Sequence, residues 1–88
     1  MEIRQLRHFM AVATHGSSTA AARAELIVQS ALSTSVRNLE RELGAELFDR
    51  TGRHVTLTEA GRALLPSARS VLAGTQAARD SVPPCRGW

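Results

Sequence analysis

The stretch STAAARAELIVQSALSTSVR, residues 18 to 37, decides the fold of this chain. Its second half opens the strongest helical pattern in the sequence, which begins at Gln29 and ends where Gly44 provides a stop. Its first half is rich in alanine and follows hydroxyl side chains that can cap a helix, which predicts a shorter helix. A turn must then lie within AELIVQ. Apolar residues of the longer helix recur at the spacing of a buried face: Leu32, Val36, Leu39 and Leu43.

Another helix is predicted upstream. Residues 3 to 13 carry apolar side chains at helical spacing, and His15-Gly16 closes the segment, with glycine as the stop. His8 is expected at the surface. The apolar face consists of Ile3, Leu6, Phe9, Met10 and Ala13.

The pattern changes downstream of Gly44. Between residues 46 and 57, Val55 and Leu57 alternate with polar residues around the turn Thr51-Gly52, which predicts a β-hairpin with an arginine-rich tip. Thr58, with Glu59 after it, then caps a final helix that should run to about residue 82. A proline at position 66 is expected to bend this helix or divide it into two collinear pieces.

This order of elements predicts a mainly α fold, a winged helix-turn-helix of three helices and a two-stranded wing, followed by a long linker or dimerisation helix. The expected divisions are residues 1–57 for the winged part, with the helix-turn-helix at 18–37 and the wing at 46–57. Residues 58–82 form the linker helix, and PPCRGW ends in a disordered tail at 83–88.

The helix that starts at Gln29 has a polar face suited to DNA. Side chains opposite its apolar seam are small or form hydrogen bonds, and the first carboxylate comes only at Glu40. Such residues pair with base edges and phosphate oxygens, whereas carboxylates would be repelled. A solvated face that happens to be polar is the alternative interpretation. The candidate contacts are Gln29, Ser30, Ser33, Thr34 and Arg37.

The wing adds cationic candidates. Arg50, Arg53 and His54 flank the hairpin turn, where they could reach a minor groove or flanking phosphates. Arg50 could instead pair on the surface with Asp49 or Glu46, which would contribute little.

Composition sets the wider frame. The 88 residues suit one small domain, and the eleven basic residues, all arginine, outnumber eight acids to give a formal charge of +3. The arginine-only set is compatible with nucleic acid but also with codon bias. The lone Cys85 excludes an internal disulfide, and no secretory signal or membrane-length apolar run is present, so a cytoplasmic protein without metal or cofactor is expected.

Catalysis has little support. His8, His15 and His54 are scattered along the chain, and no nucleophile arrangement, metal cluster or phosphate-cradling glycine loop accompanies them. We therefore expect no enzyme activity.

The chain resembles the LysR-type transcriptional regulators over about residues 1 to 80. The opening IRQLRHFMAVATHGS fits the family, and five further motifs follow in the family's order and spacing. They are T-x-A-A from Thr19 to Ala22, QSALS from Gln29 to Ser33, R-x-LE-x-ELG from Arg37 to Gly44, LF-x-RTGR from Leu47 to Arg53, and LTEAGRALLP from Leu57 to Pro66.

The resemblance implies a winged helix-turn-helix, a helix after the wing that pairs two subunits, and a C-terminal domain that senses a co-inducer. Only the first two parts are expected here, so no small-molecule site is expected in this chain. By resemblance, the polar face named above takes base and phosphate contacts, Thr19 and Arg37 support them through phosphates, and Arg53 is the wing contact. The dimer partner would be met by Leu64, Ala68, Val71, Leu72 and Thr75.

Three residues depart from the family's usual pattern. Ser18 stands in place of an aromatic residue, Glu25 in place of leucine and Val28 in place of serine. The first two remove apolar groups from helix packing, and Leu26 is expected to replace the missing leucine. Val28 removes the expected N-cap of the recognition helix, at a cost of about 1 kcal/mol.

Two functions therefore remain open. The first is sequence-specific binding of a homodimer to a partly palindromic promoter site, on the bacterial nucleoid. The second is a dimerisation module that modulates full-length regulators without binding DNA itself.

Overall fold

A computed structural model describes residues 1 to 83, which form four helices and one two-stranded sheet. The elements are α1 (Ile3–His15), α2 (Ser18–Glu25), α3 (Gln29–Leu43), β1 (Phe48–Asp49), β2 (Thr56–Leu57) and α4 (Glu59–Asp80). The strands are antiparallel, with Phe48 opposite Leu57. The predicted fold class is confirmed. The predicted tail, with Cys85, lies outside the described residues from position 84 onward.

Local signals set most helix ends. Gly16 and Gly44 close α1 and α3 in the left-handed conformation, at φ 73° and 70°, where glycine has no steric penalty. The Ser17 hydroxyl accepts a hydrogen bond from the Ala20 N–H and caps α2. Thr58 caps α4 in the same way, by accepting from the Gly61 N–H. These ends agree with the sequence prediction.

The core lies where α1, α3 and the wing meet. Phe9 and Phe48 pack with their ring centroids 5.3 Å apart, and both side chains are buried. Leu32, Val36 and Leu39 of α3 are buried as predicted. Leu43 is not: it is 42% exposed, because the seam ends one turn earlier and the chain turns away at Gly44.

The buried face of α1 differs from the predicted one. Ile3 is 47% exposed, whereas His8 is only 5% exposed and lies in the core with Ala11 and Val12. The surface position expected for His8 was therefore wrong. Ala11 and Val12 follow His8 by three and four residues, and this helical spacing was the signal that placed His8 on the buried side.

Helix α4 is continuous through Pro66, so the predicted division into two pieces was wrong, and the helix ends at Asp80 rather than near position 82. Its start packs tightly on the segment that leads into the wing. Thr58 donates from its N–H to the Leu47 carbonyl at 3.0 Å and from its hydroxyl to the Glu46 carbonyl at 2.6 Å. In residues 1 to 83, no helix is both long and apolar enough to cross a membrane.

Candidate nucleic-acid interface

The exposed side of α3 is the first component of the site. Gln29, Ser30, Thr34 and Arg37 are exposed and Ser33 is half-buried. They emerge from the side of α3 that its buried seam leaves free, and no carboxylate lies among them in the segment from Gln29 to Arg37. The face proposed from the sequence is therefore a solvent-facing surface able to donate and accept hydrogen bonds.

The turn between α2 and α3 brings the starts of these helices together. The Thr19 hydroxyl in the first turn of α2 donates to Gln29 Oε1 across 3.0 Å. These two residues are ten positions apart, and the sequence pattern gave no sign of this hydrogen bond.

The wing presents its cations unequally. Arg53 and His54 are exposed, and within residues 1 to 83 neither side chain forms an ion pair or side-chain hydrogen bond. Arg50 is engaged internally: its Nη2 lies 3.5 Å from Glu40 Oε1, and its guanidinium lies 5.8 Å from the centre of the Phe48 ring. Arg50 therefore holds the wing against the body of the chain.

Neither expected partner of Arg50 is the observed one. Asp49 is instead part of the wing turn, where Oδ1 accepts from the Thr51 hydroxyl at 2.6 Å and from the Thr51 N–H at 3.0 Å. These two bonds hold the pKa of Asp49 below its usual value. Glu40 also accepts from the Leu47 N–H at 2.7 Å, so one buried carboxylate joins α3 to the wing.

Polar contacts join α1 to the helix-turn-helix. His8 Nδ1 lies 2.7 Å from Ser35 Oγ on α3, and Arg7 Nε donates to Glu25 Oε1 on α2 at 3.0 Å. Burial lowers the pKa of His8, and the nearby Glu25 carboxylate opposes that shift. These residues border a cleft of about 580 Å³ between α1 and α3, whose α3 wall includes Thr34.

Glu25 and Leu26 were misjudged from the sequence. Glu25 does not leave a gap in apolar packing, because its carboxylate pairs with Arg7 at the surface end of α1. Leu26 does not replace a missing leucine: it is 90% exposed and closes α2 at φ 58°. Val28 starts α3 without a side-chain cap, as predicted.

The candidate dimer residues on α4 are not equally accessible. Val71 is 41% exposed, Leu72 and Thr75 are half-buried, and Leu64 packs partly against the core of its own chain. Ala68 is fully buried within the chain, because α4 lies against α1 at this point. Its inclusion among surface residues that meet a partner was therefore wrong.

Three helices with a short turn before a polar third helix, completed by a two-stranded hairpin carrying free cations, define a winged helix-turn-helix protein. The family model for bacterial regulatory helix-turn-helix proteins of the lysR family matches residues 3–62. The chain belongs to this family, as the resemblance of its motifs predicted.

Curated relatives are similar along almost the whole chain. It is 48% identical over 87 residues to the HTH-type transcriptional regulator ShiR of Corynebacterium glutamicum, covering 99% of this chain and 30% of ShiR. It is 47% identical over 88 residues to the regulator TfdT of Cupriavidus pinatubonensis, covering 99% of this chain and 39% of TfdT. The chain thus spans less than half the length of these two relatives.

Solved structures have the same fold. In the BenM_DBD/benA site 1 DNA complex, the matching chain has a TM-score of 0.87 and 38% identity, over 91% of this chain and 90% of that one. The CbnR_DBD-DNA complex gives 0.80 and 40%, over 91% and 94%.

Proposed function

We propose that this chain binds double-stranded DNA sequence-specifically, as the DNA-binding part of a transcriptional regulator. Helix α3 enters the major groove, where the residues from Gln29 to Arg37 meet base edges and phosphates. The observation that carries this proposal is the exposed, carboxylate-free face of α3 beside a wing with two basic side chains that are unpaired within residues 1 to 83. The two structural relatives named above are complexes with DNA, which supports it.

The roles within the interface follow from the contacts. Gln29, Ser30, Ser33 and Thr34 meet the groove, and Arg37 meets a phosphate at its edge. Arg53 and His54 reach beyond the groove, because neither is engaged within the described chain. Arg50 serves the interface mainly by holding the wing to Glu40 and Phe48.

We propose that the chain divides into a DNA-binding part, residues 1–57, and a linker helix, residues 58–82, that pairs two copies. Val71, Leu72 and Thr75 lie beyond the point where α4 is covered by its own chain, and they form the centre of the pairing surface with Leu64 at its edge. A twofold dimer would place two copies of α3 about 34 Å apart, or a multiple of that, on a partly palindromic site. Such a protein works on the bacterial nucleoid in the cytoplasm and catalyses no reaction.

The test is selection of bound sequences from a random pool of double-stranded DNA, followed by affinity measurements over a salt series. We expect a partly palindromic site and an affinity that falls linearly with salt on logarithmic axes. Arg53→Ala should weaken binding to all sequences alike and reduce the salt slope by about 0.9. The matched control Arg79→Ala removes the same charge from the last turn of α4 and should change neither.

The alternative function makes a different prediction. The strained Leu26 and the uncapped Val28 both lie in the turn that orients α3, which favours a chain that dimerises but orients α3 poorly. A stable dimer without DNA affinity at low salt would support a dimerisation module that pairs with a full-length regulator, and would contradict direct DNA binding.

A further inference from the structure

One hydrogen bond links two residues of the proposed interface to each other. Thr19 Oγ1 donates to Gln29 Oε1 across 3.0 Å, and both side chains are exposed. A threonine hydroxyl has a single hydrogen, so this donation leaves only lone pairs on Oγ1. Phosphate oxygens are also acceptors. In this arrangement Thr19 has nothing to donate to a phosphate, contrary to the role that the family resemblance implied.

The same bond fixes the orientation of the Gln29 amide. The carbonyl end faces Thr19, so the free end is the Nε2 amide with two N–H donors. In the major groove, guanine presents two adjacent acceptors, N7 and O6, whereas adenine presents the acceptor N7 beside the donor N6. A bidentate contact with adenine uses both ends of the amide, and a contact with guanine needs only donors.

We infer that Thr19 is a positioning residue that sets the base preference of Gln29: by holding the carbonyl end, it presents the amide N–H groups to guanine. The inference rests on the proposed DNA binding. When the interface forms, water is displaced from the Thr19–Gln29 pair, and the bond strengthens in the lower local dielectric. An amide oriented before binding also loses less conformational entropy on contact.

The placement of Thr19 does not depend on its own hydroxyl. Helix α2 is capped by Ser17, whose hydroxyl accepts from the Ala20 N–H at 3.0 Å, and it is anchored through the buried Ala21 and Ala22. Thr19→Val keeps the shape of the side chain and removes the hydrogen bond, whereas Thr19→Ser keeps the hydroxyl. Both variants should fold with unchanged circular dichroism, since position 19 is exposed.

The experiment is selection from a random DNA pool with four proteins: the unaltered chain, Gln29→Ala, Thr19→Val and Thr19→Ser. Gln29→Ala identifies the base that Gln29 reads, as the position whose preference disappears. We expect guanine there for the unaltered chain and for Thr19→Ser. Thr19→Val frees the amide to rotate, so its preference for guanine over adenine should fall by about fivefold or more.

Salt dependence separates positioning from a phosphate contact. Thr19→Val should keep the salt slope of the unaltered chain, because no phosphate contact is lost. A smaller slope would show that Thr19 does bind a phosphate and would overturn the inference. So would an unchanged base preference in Thr19→Val, adenine or cytosine selected by the unaltered chain, or no preference lost in Gln29→Ala. If the unaltered chain selects no sequence at all, the proposed function itself fails.

Discussion

At the scale of single residues, the turn between α2 and α3 is where this chain conflicts with local preferences. Leu26 adopts a left-handed conformation, φ 58°, that side chains with a β-carbon disfavour. Two residues later, Val28 begins α3 without a side-chain acceptor for the free N–H groups of the first turn. Both side chains are largely exposed, so their apolar character gains little from burial. The turn that orients α3 is therefore less stable than it could be.

Leu26→Asn should stabilise the fold by about 0.5 to 1 kcal/mol, because asparagine tolerates the left-handed region far better than leucine. Little packing is lost, since Leu26 is 90% exposed. Thermal unfolding followed by circular dichroism measures the change. Leu26→Ala is the matched control: it retains a β-carbon and its strain, and should leave the melting temperature nearly unchanged. Equal stabilisation by both variants would show that strain is not the cause.

Val28→Ser should stabilise α3 by about 1 kcal/mol, because the hydroxyl can accept from an N–H group in the first turn of the helix. Val28 already has the extended backbone of an N-cap, φ −74° and ψ 147°, so no rearrangement is needed. The melting temperature is the measurement, with Val28→Ala as the variant that shortens the side chain without supplying an acceptor. A neutral or lower value for the serine variant would contradict this account of the cap.

At the scale of elements, the junction between the wing and α4 depends on the absence of a side chain. A β-carbon at Gly61 would lie 2.2 Å from the Leu47 carbonyl oxygen and 2.8 Å from Leu57 Cδ2. The first of these contacts is with backbone, which cannot move aside as a flexible side chain can. Hydrogen bonds from Thr58 to Glu46 and Leu47 hold the two segments at this distance. Gly61 therefore sets how closely the linker helix joins the winged part.

Gly61→Ala should destabilise the fold by about 1 to 3 kcal/mol, since forced overpacking outweighs the better helix propensity of alanine. The control is the same substitution at Gly74 in the same helix, where a β-carbon would meet no atom of the described chain within 4 Å. Gly74→Ala should stabilise by up to about 1 kcal/mol. Chemical denaturation of both variants gives the two signs, and stabilisation by Gly61→Ala would refute the close approach.

At the scale of the whole molecule, α1 holds the two helices of the helix-turn-helix through polar contacts as well as through the core. His8 bonds to Ser35 on α3, and Arg7 pairs with Glu25 on α2. The exposed pair contributes little by itself. The buried imidazole matters more, because ionisation of His8 would place a charge in the core between α1 and α3. The stability of the assembled helices is thereby linked to pH.

The fold should lose stability as the pH falls below about 6.5, the ordinary pKa of histidine. Burial places the folded-state pKa of His8 below that value, so the fold favours the neutral ring and its contribution is complete only above it. Loss then proceeds as the pH falls through the folded-state pKa. Melting temperatures between about pH 7.5 and 5 measure this, a range in which ordinary carboxylates stay charged.

His8→Asn should remove most of this pH dependence, because the amide can still bond to Ser35 but does not titrate in this range. Glu25→Gln supplies a second readout: without the carboxylate that opposes the shift, the His8 pKa measured by nuclear magnetic resonance should fall further. An identical pH dependence in His8→Asn, or a His8 pKa that rises in Glu25→Gln, would contradict the assignment.

The sequence by itself determined the elements of this protein and the face it offers to DNA. Helical periodicity, the caps at Ser17 and Thr58, and the stops at Gly16 and Gly44 act over a few residues, so they can be recognised without knowledge of the fold. The polar face of α3 follows from the same periodicity, and ordered motifs were enough to indicate the family.

Only the tertiary structure decided which residues meet across the chain. It placed His8 in the core and Leu26 at the surface, joined Arg50 to Glu40, buried Ala68 under α1, and set Thr19 against Gln29. The physical reason is that these outcomes depend on the rotation of whole helices about their axes and on partners 10 to 27 positions apart. Local spacing limits the possible faces of a helix, but packing against the other elements selects among them.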